Sequence, residues 1–214
     1  MSLASSASAS AGDPYLMLTP AGVLYAFSER EPSEVQAALQ VLLPQGPALT
    51  LSHWRGLSPE HAEWLREGLA RGWIHTVQRP LRAPDVRLDD FLTRVVAGLS
   101  GERKAAIASD AGFCLGYAGY TEEEADTLAV AAVDFFDFGT RQKLRGWKGS
   151  GRAISFHEEV DMLLPATSFV LFWVDGVGYW LIVEGEPLLN NIALVELVWG
   201  IKAAGAKFGA AAAA

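Results

Sequence analysis

The sequence predicts an α+β fold: a mostly antiparallel five-stranded sheet with helices on both faces, in the order αββαβββα, preceded by a small mixed α/β extension. Three observations carry this expectation. The turn Ser109-Asp110-Ala111-Gly112 sits between two apolar runs, which is short-range hairpin chemistry. A second hairpin is written into residues 168–183, where Asp175-Gly176 divides two halves rich in β-branched and aromatic residues. Between the hairpins lies a long helix opened by a capping box, Thr121 with Glu124 three residues on.

The elements of the second half follow in order. Residues 88–99 place Leu88, Phe91, Leu92, Val95, Val96 and Leu99 on one helical face. Strands at 105–109 and 113–118 flank the first turn, and the helix then spans 121–144. Its Leu128, Val130, Val133, Phe135, Phe136 and Phe138 lie around nearly the whole cylinder. A surface helix carries one apolar stripe, so this one needs cover on two sides: its own sheet on one, a partner on the other. A Gly-rich loop, 146–151, leads to a strand at 153–160. There Ile154, Phe156 and Val160 alternate with Ser155, His157 and Glu159. One wet face and several charges suit an edge strand, where a second chain can add on. Residues 169–174 are apolar on both faces, as befits a central strand covered on each side. The last helix is expected to begin at Pro187 and to carry Leu188, Ile192, Val195, Leu197, Val198 and Ile201.

The first half reads as ββαβαβ. Residues 15–19 and 23–28 flank Pro20-Ala21-Gly22 as a hairpin, and a helix over 33–43 is stopped by Pro44. A short strand is expected at 48–53, then a helix with Ser58 as cap and Pro59 at its first position, then a strand at 73–77. Pro20-Ala21-Gly22-Val23 aligns with Asp110-Ala111-Gly112-Phe113, a faint echo of an internal repeat. Trp54, Trp64 and Trp73 are expected in the core; an exposed Trp54 would instead mark an interface. The boundaries expected are a Ser/Ala leader at 1–13, the extension at 14–82, the main domain at 88–205 and an Ala-rich tail at 206–214.

Composition narrows the functional classes. The 214 residues carry a formal net charge of −8 and no long Lys/Arg cluster, which argues against nucleic acid and anionic membrane surfaces. The helix-then-Gly-Trp-Ile pattern near residue 72 is similar to a winged-helix element, but Glu60, Glu63 and Glu67 offset Arg66 and Arg71. No segment reads as a membrane span. Cys114 is the one cysteine, so no intramolecular disulfide forms; with a leader unlike a signal peptide, the expected compartment is the cytoplasm. Cys114 itself is read as a small core hydrophobe.

Catalytic and metal chemistry find no motif. His157-Glu158-Glu159-Val160-Asp161 is not H-E-x-x-H, and His53, His61 and His75 share no helical face. His157 reads as a strand histidine beside a carboxylate. The loop 146–152 lacks the phosphate-binding G-x-x-x-x-G-K-[ST] order, and Gly149-Ser150-Gly151 has no strand before it to make a nucleophile elbow. Glu122, Glu123, Glu124 and Asp126 complement the dipole of their own helix. The expectation is a protein that is not an enzyme and takes no cofactor or metal.

The element order, the S-D-A-G-F hairpin and the T-E-E-E-A-D-T-L-A-V-A-A helix together resemble the Roadblock/LC7 family over about residues 88–205. The resemblance implies a profilin-like sheet with two helices on one face and the long helix on the other. It implies homodimers or heterodimers that join edge strands and pack long helices together. It also implies scaffolding and regulation of Ras-like small GTPases, including bacterial polarity and motility switches, or service as a dynein light chain. On this chain the helix seam would be Leu128, Ala132, Phe135 and Phe136, and the strand edge Ile154, Phe156 and His157. The expected partners are a second copy of the chain and a small GTPase. The alternative is a small-molecule sensor with a pocket between sheet and long helix. The extra first half is a departure from the single short domain common in the family.

Overall fold

A computed structural model describes residues 12–80, 88–148, 152–160 and 162–212, with backbone alone for 88–90 and 206–212. The expected leader, except for its last two residues, residues 81–87 between the two halves, Gly149–Gly151, Asp161 and the last two alanines lie outside the described residues.

The strongest hairpin of the sequence forms the middle of the sheet. Strands β6 (Thr167–Val174) and β7 (Val177–Glu184) pair antiparallel from Thr167 opposite Glu184 to Val174 opposite Val177. Asp175 and Gly176 both take positive φ, 50° and 80°, the backbone that a two-residue primed turn requires. Strands β3 (Ala105–Ser109) and β4 (Cys114–Ala118) form the other hairpin, and β5 (Ala153–Phe156) adds to β6. The order across the sheet is β4-β3-β7-β6-β5, every neighbour antiparallel.

Side chains alternate between two cores, as the period of a strand dictates. On one face Val170, Phe172, Val174, Leu181 and Val183 meet helix α5 (Leu88–Val96), its 3-10 continuation Ala97–Leu99, and helix α7 (Ile192–Ala212). On the other, Phe169, Leu171, Trp173, Trp180 and Ile182 meet helix α6 (Glu122–Leu144). This is the fold class expected: α+β, five antiparallel strands, two helices on one face and the long one on the other. Gly112 (φ 84°) closes the first hairpin beneath α6, where a Cβ would come within 2.8 Å of Val133 Cγ2.

Two bounds differ from expectation. Helix α7 starts at Ile192, not Pro187, because the intervening segment bonds elsewhere: Leu188 N–H donates to the Leu99 carbonyl, and the Asn191 side chain ties Gly98 O to Ala193 N–H. Strand β5 ends at Phe156, not Val160. The Phe156 carbonyl takes the Ala166 N–H, and His157 Nδ1 lies 3.0 Å from Leu164 O, so the chain has already turned away from β6.

The first half departs further. After β1 (Tyr15–Leu18) comes helix α1 (Pro20–Ala26), where a second strand was expected. Thr19 Oγ1 accepts the Gly22 N–H at 3.0 Å, and Pro20 occupies the first helical position, where its missing N–H costs nothing. The strand expected at 48–53 is instead an isolated Tyr15–Thr50 bridge followed by helix α3 (Leu51–Leu57), capped by Thr50. Before it, α2 (Glu34–Gln40) has a full capping box from Ser33 and Gln36. Helix α4 (Glu60–Ala70) begins one residue past Pro59, and the Ser58 hydroxyl bonds Glu60 Oε2 and His61 Nδ1 rather than a helix amide. Strand β2 (Ile74–Val77) closes a two-stranded ribbon with β1. The order is therefore βααααβ, and the echo between residues 20–23 and the 110–113 turn disappears, since one is helix and the other a hairpin.

The two halves touch through named bonds. Trp199 Nε1–H donates to Pro44 O at 2.8 Å, and Lys202 Nζ to Gln40 O. Trp173 N–H donates to Phe27 O at 2.9 Å, and Arg152 Nη2 to Leu24 O at 2.8 Å. One buried apolar cluster runs from Leu18, Leu39 and Trp54 through to Phe172 and Leu197.

Candidate partner interface

Helix α6 begins as its sequence says it should. Thr121 Oγ1 accepts the Glu124 N–H, and the Glu124 carboxylate accepts the Thr121 N–H at 2.7 Å. The Thr121 N–H, and after it the Thr121 hydroxyl at 3.0 Å, both donate to this carboxylate and hold the Glu124 carboxyl below its ordinary value. Acids fill the first turn, and Arg141 and Lys143 the last, matching the helix dipole at both ends.

The inner face of α6 is alanine. Ala125, Ala129 and Ala132 are fully buried on the sheet, letting the helix lie close to it. At its margin Phe135 stands edge-on to Phe169 (4.9 Å between centroids) and 5.6 Å from Phe156, while Phe136 meets Trp173 at 5.8 Å. Leu128 is half-buried against the same cluster. Of the expected seam, Leu128, Phe135 and Phe136 thus keep an outward portion, and Ala132 is covered by the protomer's own sheet. The outer face shows other apolar groups: Val130 is 61% exposed and Phe138 48%, the Phe138 ring lying edge-to-face with Trp147 at 6.4 Å between centroids. Counting around the helix from the buried alanines would have found these two.

Strand β5 lies at the edge of the sheet, as expected. Arg152 O and Phe156 O accept from Leu171 N–H and Ala166 N–H, so residues 152, 154 and 156 turn their amides and carbonyls toward β6. Alternation then leaves those of Ala153 and Ser155 facing outward. Ile154 is half-buried under α6, Phe156 is 47% exposed, and His157 is half-buried just past the strand end. The edge and the helix face are continuous through the Phe135–Phe156 contact. Beyond the strand, Val160 is 98% exposed, with Met162 and Leu164 also largely open. Further along β6 the edge is closed by the first half, where Phe27 O takes the Trp173 N–H.

Other candidate groups are accounted for by packing. Trp54 is fully buried with Nε1–H donating to His61 O at 2.9 Å, which places it in the core. His157 Nδ1 lies 3.0 Å from the Leu164 carbonyl oxygen. Cys114 is half-buried on the α6 side, and burial pushes its thiol pKa up. Burial likewise raises the Tyr120 phenol, with Glu184 adding to it. Among the described residues no three His, Cys, Asp or Glu side chains are placed to hold a metal ion, and no helix is long and apolar enough to cross a membrane. The space between sheet and α6 is filled by the alanines, Phe169 and Trp180, which does not favour a sensor pocket there. The grooves near the start of α6 are open and lined largely by Thr121, Glu123 and Thr127.

No protein-family model matches the chain, and no curated protein does. Among solved structures it is similar to Myxococcus xanthus MglB, at 14% identity and a TM-score of 0.38, covering 56% of this chain and 88% of that one. It is also similar to a Roadblock/LC7 domain from Streptomyces avermitilis, at 16% identity and a TM-score of 0.41, covering 55% of this chain and 96% of that one. The five-stranded antiparallel sheet, with α5 and α7 on one face and α6 on the other, has the layers that the resemblance to the Roadblock/LC7 family implies.

Proposed function

We propose that the protein is a non-enzymatic, dimeric regulator or scaffold that works in the cytoplasm on a Ras-like small GTPase or a motility or polarity complex. The observation that carries this reading is the open edge of β5, continuous through Phe135 and Phe156 with the apolar outer face of α6. Unpaired strand amides and exposed aromatic rings on one rim are the features by which sheets add chains. Leu128, Phe135, Phe136 and Phe138 would form the helix seam, and Ile154, Phe156 and His157 the edge. A stable pairing of this kind buries about 1,600 Å² in total. Regulation would follow from positioning the partner's own switch segments, since among the described residues no constellation suited to acting on nucleotide is found. The test is nucleotide hydrolysis by small GTPases with and without the chain, alongside direct binding. A changed rate or retained complex is expected; absence of both across the GTPases of the host removes the role.

A further inference from the structure

Between Asp137 and Glu158 the sequence holds no Asp or Glu, but Arg141, Lys143, Arg145, Lys148 and Arg152. Arg152 is turned to the Leu24 carbonyl between the two halves, whereas Arg141, Arg145 and Lys148 are exposed at the C-terminal end of α6. None of these three joins an ion pair among the described residues, where the pairs are Arg66–Glu63, Arg71–Glu67 and Lys104–Glu184.

Two large apolar side chains project beside these cations. Leu144 is 85% exposed, and Trp147, at 65%, is the most exposed of the tryptophans. Trp147 is held in place by the way α6 ends. Gly146 (φ 83°) donates its N–H to Lys143 O at 3.0 Å, and the Trp147 N–H donates to Gln142 O at 3.1 Å, the paired bonds of a glycine-closed helix end. Phe138 then supports the indole from the side. Leu144 and Arg145 stand three and four residues past Arg141 and so share its side of the helix. Asp137, one turn before Arg141, bounds the patch.

The net charge of −8 belongs to the whole chain. A charge is felt only over about 10 Å at 0.1 M salt, so a surface that approaches this end of α6 meets the cations first. The shape of the patch then selects the kind of surface. A protein acceptor for Leu144 and Trp147 would need a pocket cut to fit them. A bilayer interface offers an apolar layer to any projecting side chain, takes tryptophan at the level of the headgroups, and attracts Lys and Arg through its anionic lipids.

We infer that the C-terminal end of α6 docks peripherally on an anionic lipid surface, with Leu144 and Trp147 entering the interface and Arg141, Arg145 and Lys148 against the lipid headgroups. The inference is independent of the dimer reading above. The full-length chain is sedimented with vesicles of phosphatidylcholine, alone or with roughly one-third phosphatidylserine. Binding to the mixed vesicles should be about tenfold tighter or more, and raising salt from about 0.1 to 0.5 M should remove most of that preference. The triple variant Arg141→Gln/Arg145→Gln/Lys148→Gln should lose about tenfold or more in binding to the mixed vesicles. Arg55→Gln/Arg66→Gln/Arg94→Gln makes the same change in net charge at exposed positions elsewhere and should stay within about threefold of wild type. Leu144→Ser/Trp147→Ser should weaken binding as strongly as the first triple. A second measurement reads the wild type itself: lipids with brominated acyl chains should quench its tryptophan fluorescence on binding, and should leave bound Trp147→Phe almost unquenched. Thermal melts matching wild type show that each variant is folded. Equal binding to both kinds of vesicle, equal losses from the two charge triples, or full quenching in Trp147→Phe overturns the inference. Retention on immobilised polyglutamate without binding to vesicles also overturns it, and assigns the patch to an acidic protein.

Discussion

Gly22 shows how a single residue misleads a sequence reading and then proves indispensable. In Pro20-Ala21-Gly22 it reads as turn chemistry, yet it lies inside α1, where a Cβ would come within 2.1 Å of the Trp73 carbonyl oxygen. The glycine is there for close approach of helix to β2, a long-range contact that local spacing does not record. Its Thr19 cap was legible in principle, since a Thr before a Pro is also a helix-start signal. Gly22→Ala should destabilise the protein by about 2–3 kcal/mol, read as a lower urea midpoint, because backbone on both sides must move. Wild-type stability retained in that variant would contradict the packing. Cys114 gives a chemical counterpart. Its thiol, raised by burial, should alkylate at pH 8 several-fold more slowly than the same cysteine in the urea-unfolded chain. Equal rates would place it in open solvent.

Elements with long, consistent patterns were readable, and those decided by one capping residue were not. The β6–β7 hairpin and α6 each combine a strong turn or cap with many residues of one period, so local and tertiary preferences agree. Residues 48–53 alternate like a strand, but Thr50 caps α3 and the helix wins. For α6, Thr121→Ala should cost about 1 kcal/mol by losing the cap. The Glu124 side of the box is pH-dependent. Its carboxyl is depressed in the folded state from an ordinary value of 4.5, so its contribution is full above that pH and is lost as pH falls through the lower folded value. The stability gap between wild type and Glu124→Ala should therefore shrink between pH 5 and pH 3, and a gap independent of pH would refute the box as a charged interaction. Strand β5 was legible as an edge from its charges, while its early end was not, because the His157–Leu164 contact is made by a loop.

At the scale of the molecule, the first half is joined to the sheet by a shared apolar cluster and by the bonds of Trp199, Lys202, Trp173 and Arg152. The account therefore predicts that heat unfolds the two halves in one transition, seen as coincident fluorescence and far-ultraviolet dichroism curves; two resolved transitions would make them independent units. Which residues face a partner was only partly legible. The sequence marks α6 as apolar all round, but only the packing shows that Ala132 turns inward while Val130 and Phe138 turn out. That outward surface, with the β5 edge beside it, is what the functional reading rests on.

The most direct measurement is sedimentation equilibrium of the wild type and of Ser155→Pro over a wide concentration range. Proline at 155 removes an outward amide and leaves the backbone ladder to β6 intact, giving up only the Ser155–Ser168 hydroxyl contact of 2.9 Å, and edge strands tolerate proline at such a position. The account predicts a wild-type dimer and a folded, monomeric Ser155→Pro chain. A wild type that stays monomeric at the highest concentration, or a Ser155→Pro chain that dimerises as well as the wild type, would contradict it.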